Sequence, residues 1–371
     1  MADRNDRLVG LQLLRAVAAL MVVFHHARGS VRGAEVLTTV GEAGVDIFFV
    51  ISGFVMAYTT RHLMDAPLTL GQRIQASRDF LVNRVLRVVP LYWLATAWAA
   101  HKGLGTRLAV GNVLKDMLFI PHLSTPWAIY PALVQGWTLN YEMLFYALFA
   151  ASLLAGRYAR QILIAGIATL AAIGVVWVVH WGVPAIEEAG RWPGSARDTF
   201  LVVPWFYTNN IMLEFCFGIV LESMSRRQAF THPERWRHCL LALAGFAALC
   251  AMHPRWPRGL LQGAPAALIV WSSIPACRGL RLRVPVLLGN ASYCIYLFHW
   301  TSFAMLKPLL PHQSASGASW PWIAALLLAH LLSAILVGIA IHFYVEQPMT
   351  RWLKAQFGRH PSRDPLAAAS P

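Results

Sequence analysis

Charge is what this sequence holds least of. Only 13% of its 371 residues are Asp, Glu, Lys or Arg, about half the roughly 25% of an ordinary soluble domain. Acids are the scarcer sign, 17 Asp and Glu against 31 Lys and Arg, which leaves a formal net charge of +14. No long basic run concentrates that charge, so it does not read as a nucleic-acid arm. Cysteine is sparse too. The five present, Cys216, Cys239, Cys250, Cys277 and Cys294, form no C-x-x-C pair, and all but Cys277 lie in apolar runs. An odd number in such positions argues against a disulfide framework or a zinc site. No internal repeat is evident.

Apolar residues are what it has instead, 57% of the chain, with a mean hydropathy of +0.51. One aqueous core cannot hide that much apolar surface, so the chain reads as an integral membrane protein. Stretches near span length, about 17–25 residues, fall near 8–26, 44–60, 88–100, 137–154, 161–182, 201–221, 239–252, 258–274, 286–306 and 321–345. The first has the basic start of a signal peptide. However, Arg15 interrupts it and no small-x-small cleavage site follows, so we read an uncleaved first helix. Ten spans put both termini on one side. Outside the spans that side carries 20 Lys and Arg and the other carries 10, which places both termini in the cytoplasm. The fold expected is an all-α polytopic membrane helix bundle of about ten transmembrane helices over residues 1–348. Residues 349–371 are expected to form a short, flexible cytoplasmic tail.

Ionisable side chains at membrane depth are costly and mark function by default. Arg15 and His26 are eleven residues apart, within about 20° of three full turns, so they share a helix face about 16 Å apart, with His25 turned away from it. An arginine that snorkels beside an interfacial histidine pair is the plainer alternative. Asp46 opens the second span at a similar depth to His26. It is either part of the same site or a first-turn acid favoured by the helix dipole. Ser52 and Gly53, one to two turns on, would let a neighbouring helix approach closely. Glu142 stands near the start of the fourth span beside Asn140 and Tyr141, positioned to orient a histidine or to pair with Arg15. Arg84 and Arg87, at i and i+3, share a face at the cytoplasmic surface. They suit phosphate groups, or lipid anchoring. His299, Glu346 and Glu214 are further ionisable groups within or at the ends of spans.

These residues in this order resemble the acyltransferase 3 family, membrane proteins that acylate hydroxyls of extracytoplasmic carbohydrates. The Arg, ten residues, His signature falls on Arg15 and His26, and G-V-D-x-F-F-V-x-S-G-F on Gly44 through Phe54. R-x-x-R-x-x-P-x-Y falls on Arg84 through Tyr92, and W-[ST]-L-x-x-E-x-x-F-Y on Trp137 through Tyr146. S-Y-x-x-Y-x-x-H falls on Ser292 through His299, and E-x-P on Glu346 through Pro348. The likeness spans Leu8 to Pro348 and is to the short, stand-alone exopolysaccharide acetyltransferases rather than to forms with an added esterase-like domain.

The resemblance implies an O-acyltransferase of the bacterial inner membrane. It would move an acyl group, acetyl foremost, from cytoplasmic acyl-CoA to a hydroxyl of an extracytoplasmic or lipid-linked carbohydrate. His26 would be the general base, with Arg15, Asp46 and Glu142 catalytic beside it. Asp46 or Glu142 would orient the imidazole. Arg84, Arg87 and Tyr92 would bind acyl-CoA, and Ser52, Trp137, Tyr146, His299 and Glu346 would support the site. Transient acylation of His26 is an alternative route. No metal and no permanently bound cofactor is expected, and no nucleic acid. The competing class is a polytopic transporter or flippase for a glycolipid or small polar substrate.

Overall fold

The computed structural model describes residues 2–34, 36–37, 40–103, 110–124, 129, 131–181, 200–227, 234–252, 257–280, 282–309 and 319–357, and among these there is no strand. Apolar sequence removed from water must satisfy its own amides, and a helix does so within one segment. Among the described residues fourteen α-helices follow in order: α1 Ala2–Ser30, α2 Ala43–Asp65, α3 Leu70–Lys102, α4 Val110–Met117, α5 Gly136–Leu153, α6 Ala159–Trp181 and α7 Val202–Tyr207. Then come α8 Leu213–Arg227, α9 Arg235–Met252, α10 Arg258–Leu261, α11 Gly263–Ala276, α12 Arg283–Leu306, α13 Trp320–Ile341 and α14 Gln347–Phe357. A π-turn, His342–Glu346, joins the last two.

Among the described residues five stretches are long and apolar enough to cross a membrane: Val9–Ser30, Ala43–Asp65, Gly156–His180, Arg258–Ala276 and Trp320–Phe357. Ile162, Val176 and Val179 on α6, Leu240 and Leu243 on α9, and Leu328, Leu332 and Leu336 on α13 point away from the protein. Apolar helix faces exposed in this way would drive aggregation in water and are at home in lipid. The chain is an all-α membrane helix bundle.

Each apolar stretch marked in the sequence falls on helix, with two interruptions. The 201–221 stretch is split into α7 and α8 by a 3-10 turn, Asn210–Met212, whose entry is capped by the Asn209 side chain accepting from the Ile211 amide at 2.9 Å. The 258–274 stretch is split at Gln262. Residues 349–357, expected to belong to a flexible tail, continue as α14, which packs on α3. Residues 358–371 lie outside the described residues.

The pairings fix helix directions. Along α1 and α12, Gly289 meets Gln12, Arg15 meets Ser292 and His26 meets His299, so these helices run parallel. A Cβ at Gly289 would run into the Gln12 carbonyl, and only glycine lets the two backbones come this close. Gly53 on α2 likewise abuts the backbone of Phe215 on α8, the close approach that its small size implied. By contrast α12 and α13 are antiparallel, since Ile295 meets Gly338 and Ser302 meets Ser333. So are α3 and α5, since Ser77 donates to the Ala150 carbonyl while Tyr92 lies against Gly136. These directions agree with a chain that crosses the membrane alternately.

Between α3 and α5 lies α4, whose Val110 and Leu114 face outward while Asp116 is buried. Its end is clamped to α3. Tyr92 donates to the Asp116 carbonyl at 3.1 Å and the Trp93 indole donates to the Met117 carbonyl at 2.8 Å. The helix closes with Phe119 at φ 58°, where glycine is usual. Stacking of Phe119 on Tyr92, with ring centroids 4.9 Å apart, favours that left-handed conformation.

Candidate active site

A cavity of about 120 Å³ runs between α1, α2, α3, α5 and α12. Its polar lining is Arg15, Ser52, Arg84, Arg87, Thr138, Glu142, Tyr146, Ser292, Tyr293 and Tyr296, and its apolar wall includes Val45, Phe48, Val55 and Met56. Helical spacing explains much of this convergence. Arg84 and Arg87 share a face of α3, Glu142 and Tyr146 are i and i+4 on α5, and Ser292, Tyr296 and His299 recur at four and then three residues on α12.

Within the cavity the Arg15 guanidinium donates through Nε to Ser292 Oγ at 3.2 Å. Glu142 Oε1 accepts from the Tyr146 hydroxyl and, at 3.4 Å, from Ser52 Oγ. Tyr293 anchors α12 to α3 by donating to the Val88 carbonyl at 2.9 Å. Arg84 stacks over the Phe80 ring at 5.5 Å, and its buried Nε has no hydrogen-bond partner.

His26 stands just beyond one end of this space. His26 Nδ1 and His299 Nε2 are 3.0 Å apart, with the rings only 13° from parallel, and His299 Nδ1 is 2.6 Å from the Tyr296 carbonyl oxygen. A carbonyl only accepts, so His299 Nδ1 carries its hydrogen. In a neutral pair His299 Nε2 is then an acceptor and His26 Nδ1 must donate to it. The proton pattern follows from the geometry: His26 Nε2 is left with its lone pair. Trp300 lies beside the pair, 5.3 Å from the His26 ring centroid. Tyr296 lines the cavity and also neighbours the pair, its ring centroid 6.3 Å from that of His299 and its hydroxyl 2.8 Å from Thr138 Oγ1.

Several expected site residues lie elsewhere. Asp46 does not meet His26. It is fully buried and takes a two-pronged bond from Arg258 on α10, Nε to Oδ1 and a terminal nitrogen to Oδ2, both at 3.0 Å. Glu142 is not at the histidine either, being bonded to Tyr146 and Ser52, so His299 takes the place expected for a carboxylate. Tyr92 does not line the cavity; its hydroxyl is spent on α4. Trp137 packs edge-on against Tyr141 with centroids 6.1 Å apart and lies off the cavity. His25 turns aside, as its position on α1 implied, and approaches Glu42 at 3.2 Å.

Glu346 lies in the π-turn, where Oε2 accepts from the Cys294 thiol at 3.0 Å and lies 2.6 Å from His342 Nδ1. The donor atoms of these three side chains lie within 4.8 Å of one another, the one such metal-capable group among the described residues. Their mutual hydrogen bonds account for the arrangement as it stands. Glu346 is near enough for its charge to act on Arg15. Glu214 is buried in α8 beside Asp46 and Arg258. The sequence reading missed Arg258, which flanks a span and looks like any other boundary arginine. It also missed Ser292 and Tyr296 as cavity walls, although their spacing from His299 was there to be used.

Comparison with known proteins points the same way. The family model Acyl_transf_3, described as an acyltransferase domain, matches residues 8–342. The exopolysaccharide production protein ExoZ of Rhizobium meliloti is 34% identical over 324 residues, 84% of this chain and 90% of that protein. The acyltransferase MdmB of Streptomyces mycarofaciens is 29% identical, covering 100% of this chain and 96% of its own length. The putative peptidoglycan O-acetyltransferase YrhL of Bacillus subtilis is 25% identical over 92% of this chain and 54% of its own length. No solved structure matches. A family match that takes in the arginine cavity and the histidine pair alike makes this chain a membrane-bound member of the acyltransferase 3 family.

Proposed function

We propose that the protein is an acyl-CoA-dependent O-acyltransferase that delivers an acyl group, most simply acetyl, to a hydroxyl of a carbohydrate or glycolipid outside the cytoplasm. Both termini lie in the cytoplasm of a bacterial cell, and the bundle spans the inner membrane about ten times. The Lys and Arg bias and the helix directions support this topology, and the names of ExoZ and YrhL support a carbohydrate acceptor.

Arg84 and Arg87 hold the CoA phosphates at the cytoplasmic end, because paired guanidinium groups match phosphate oxygens. The pantetheine arm enters the cavity past Arg15 and Glu142 and brings the thioester toward His26. His26 Nε2 removes the proton from the acceptor hydroxyl as its oxygen attacks the thioester carbonyl. The new ester C–O bond forms, the C–S bond breaks, and the thiolate of CoA leaves and regains a proton. Arg15 supplies positive charge inside the cavity through which the acyl-CoA arm passes. The observation that carries this reading is the free Nε2 of His26, produced by the bond of its Nδ1 to His299.

Purified protein tests it with radiolabelled acetyl-CoA and a soluble oligosaccharide acceptor. His26→Ala should abolish transfer while acetyl-CoA still binds, and His25→Ala should keep most activity. Equal loss in both variants would remove His26 from the chemistry.

A further inference from the structure

The mechanism above makes no use of α14. The π-turn before it is held from inside the bundle by Glu346, Cys294 and His342, and Gln347 Nε2 lies 3.0 Å from His342 Nε2. Beyond that knot α14 folds against α3, the helix that carries Arg84 and Arg87. Lys354, exposed on α14, comes near enough for its charge to act on both arginines. No carboxylate forms an ion pair with any of these three cations among the described residues. Like charges brought together in this way raise the energy of the empty protein, and a polyanion between them would lower it.

We propose that Lys354 binds the 3′-phosphate of CoA, so that α14 forms the outer wall of the donor site. The assignment rests on the acyl-CoA reading above. It follows from matching two sequences of groups. Along acyl-CoA the order is thioester, pantetheine, diphosphate, then the ribose 3′-phosphate. Along the protein the order is Arg15, Arg84 and Arg87 lining the cavity, then Lys354 outside its lining, exposed on the helix that packs against α3. The diphosphate falls to the arginine pair and the terminal phosphate to the lysine.

The test compares acetyl-CoA with acetyl-dephospho-CoA, which differs only in lacking the 3′-phosphate. Binding is measured on full-length protein in nanodiscs of neutral phosphatidylcholine at one fixed ionic strength. Lys354→Met should weaken acetyl-CoA about fivefold to tenfold, the scale of one charge-assisted contact at a wet site. It should leave acetyl-dephospho-CoA unchanged, and Lys354→Arg should restore acetyl-CoA binding. Equal weakening of both ligands would overturn the assignment, since the lysine would then act only through its field or through the fold. No weakening of either would overturn it too. In that case adding phosphatidylglycerol should raise the melting temperature of the wild type and not of Lys354→Met, making Lys354 a lipid-phosphate anchor. Wild-type protein that binds neither ligand would defeat the acyl-CoA reading and this assignment with it.

Discussion

At the scale of residues the site turns on one hydrogen bond. On the proposed mechanism His299 is a positioning residue. It accepts from His26 Nδ1 and so selects the tautomer whose Nε2 is basic. His299→Ala should lower kcat about a hundredfold, within the range that a well-placed base contributes, with KM for acyl-CoA unchanged. His299→Gln can still accept through its amide oxygen and should recover to within about tenfold of wild type on the same scale. Steady-state kinetics on the two variants decide the matter, because a merely structural histidine would show no preference for Gln over Ala. Part of this was legible in the sequence. Arg15 and His26 share a face by helical arithmetic alone, and both meet α12 on it. The partner of Asp46 was not legible. Arg258 stands 212 residues away, and nothing local distinguishes it from an arginine marking the end of a span.

At the scale of elements, the bond between Asp46 and Arg258 ties α2 to α10. Removing one partner of a buried pair leaves the other uncompensated, at a cost of about 3–5 kcal/mol, whereas replacing both with apolar groups can be nearly neutral. Asp46→Leu should therefore lower the unfolding midpoint sharply. Adding Arg258→Met together with Glu214→Gln, which neutralises the buried carboxyl that Arg258 also faces, should recover most of the loss, read as thermal unfolding in detergent. If the triple variant is no better than the single, the pair does not hold these helices together.

The short helix α4 gives a pH-dependent counterpart outside the spans. Burial pushes the Asp116 carboxyl up from 3.8 to about 6, against the opposing hydrogen bond from the Ala132 amide. His122, 3.6 Å from Asp116, is pulled below its ordinary value by burial. An acid raised on folding holds its proton more tightly in the folded state. Its stabilisation is complete below about pH 3.8 and is lost as pH rises through about 6. Hydrogen exchange at α4 amides, corrected for intrinsic rate, should show less protection at pH 7 than at pH 4, and Asp116→Asn should flatten that difference. Most helices were legible because long apolar runs admit little else. The break after α7 was not, since a capping asparagine inside such a run changes its hydropathy very little. Neither was α14, whose polar composition resembles a tail and which continues directly from the buried π-turn.

At the scale of the whole molecule, the proposed topology makes a direct demand. A cysteine introduced in the loop between α1 and α2 should react with an impermeant maleimide from the periplasmic side, and one at 66–69 only after permeabilisation. The reverse pattern would invert the path from donor to acceptor. The hydrogen bond between Tyr296 and Thr138, at the junction of the arginine cavity and the histidine pair, has a consequence for the cell as well as for the reaction. On the proposed function, an enzyme that receives one substrate from each face of an energised membrane risks becoming a leak at the point where the two approaches meet. We expect that hydrogen bond, while closed, to keep the protein an electrical insulator between turnovers. Tyr296→Ala, reconstituted in liposomes without substrate, should let an imposed pH gradient decay faster than wild type does. The phenol would then conserve the proton-motive force that the rest of the membrane depends on.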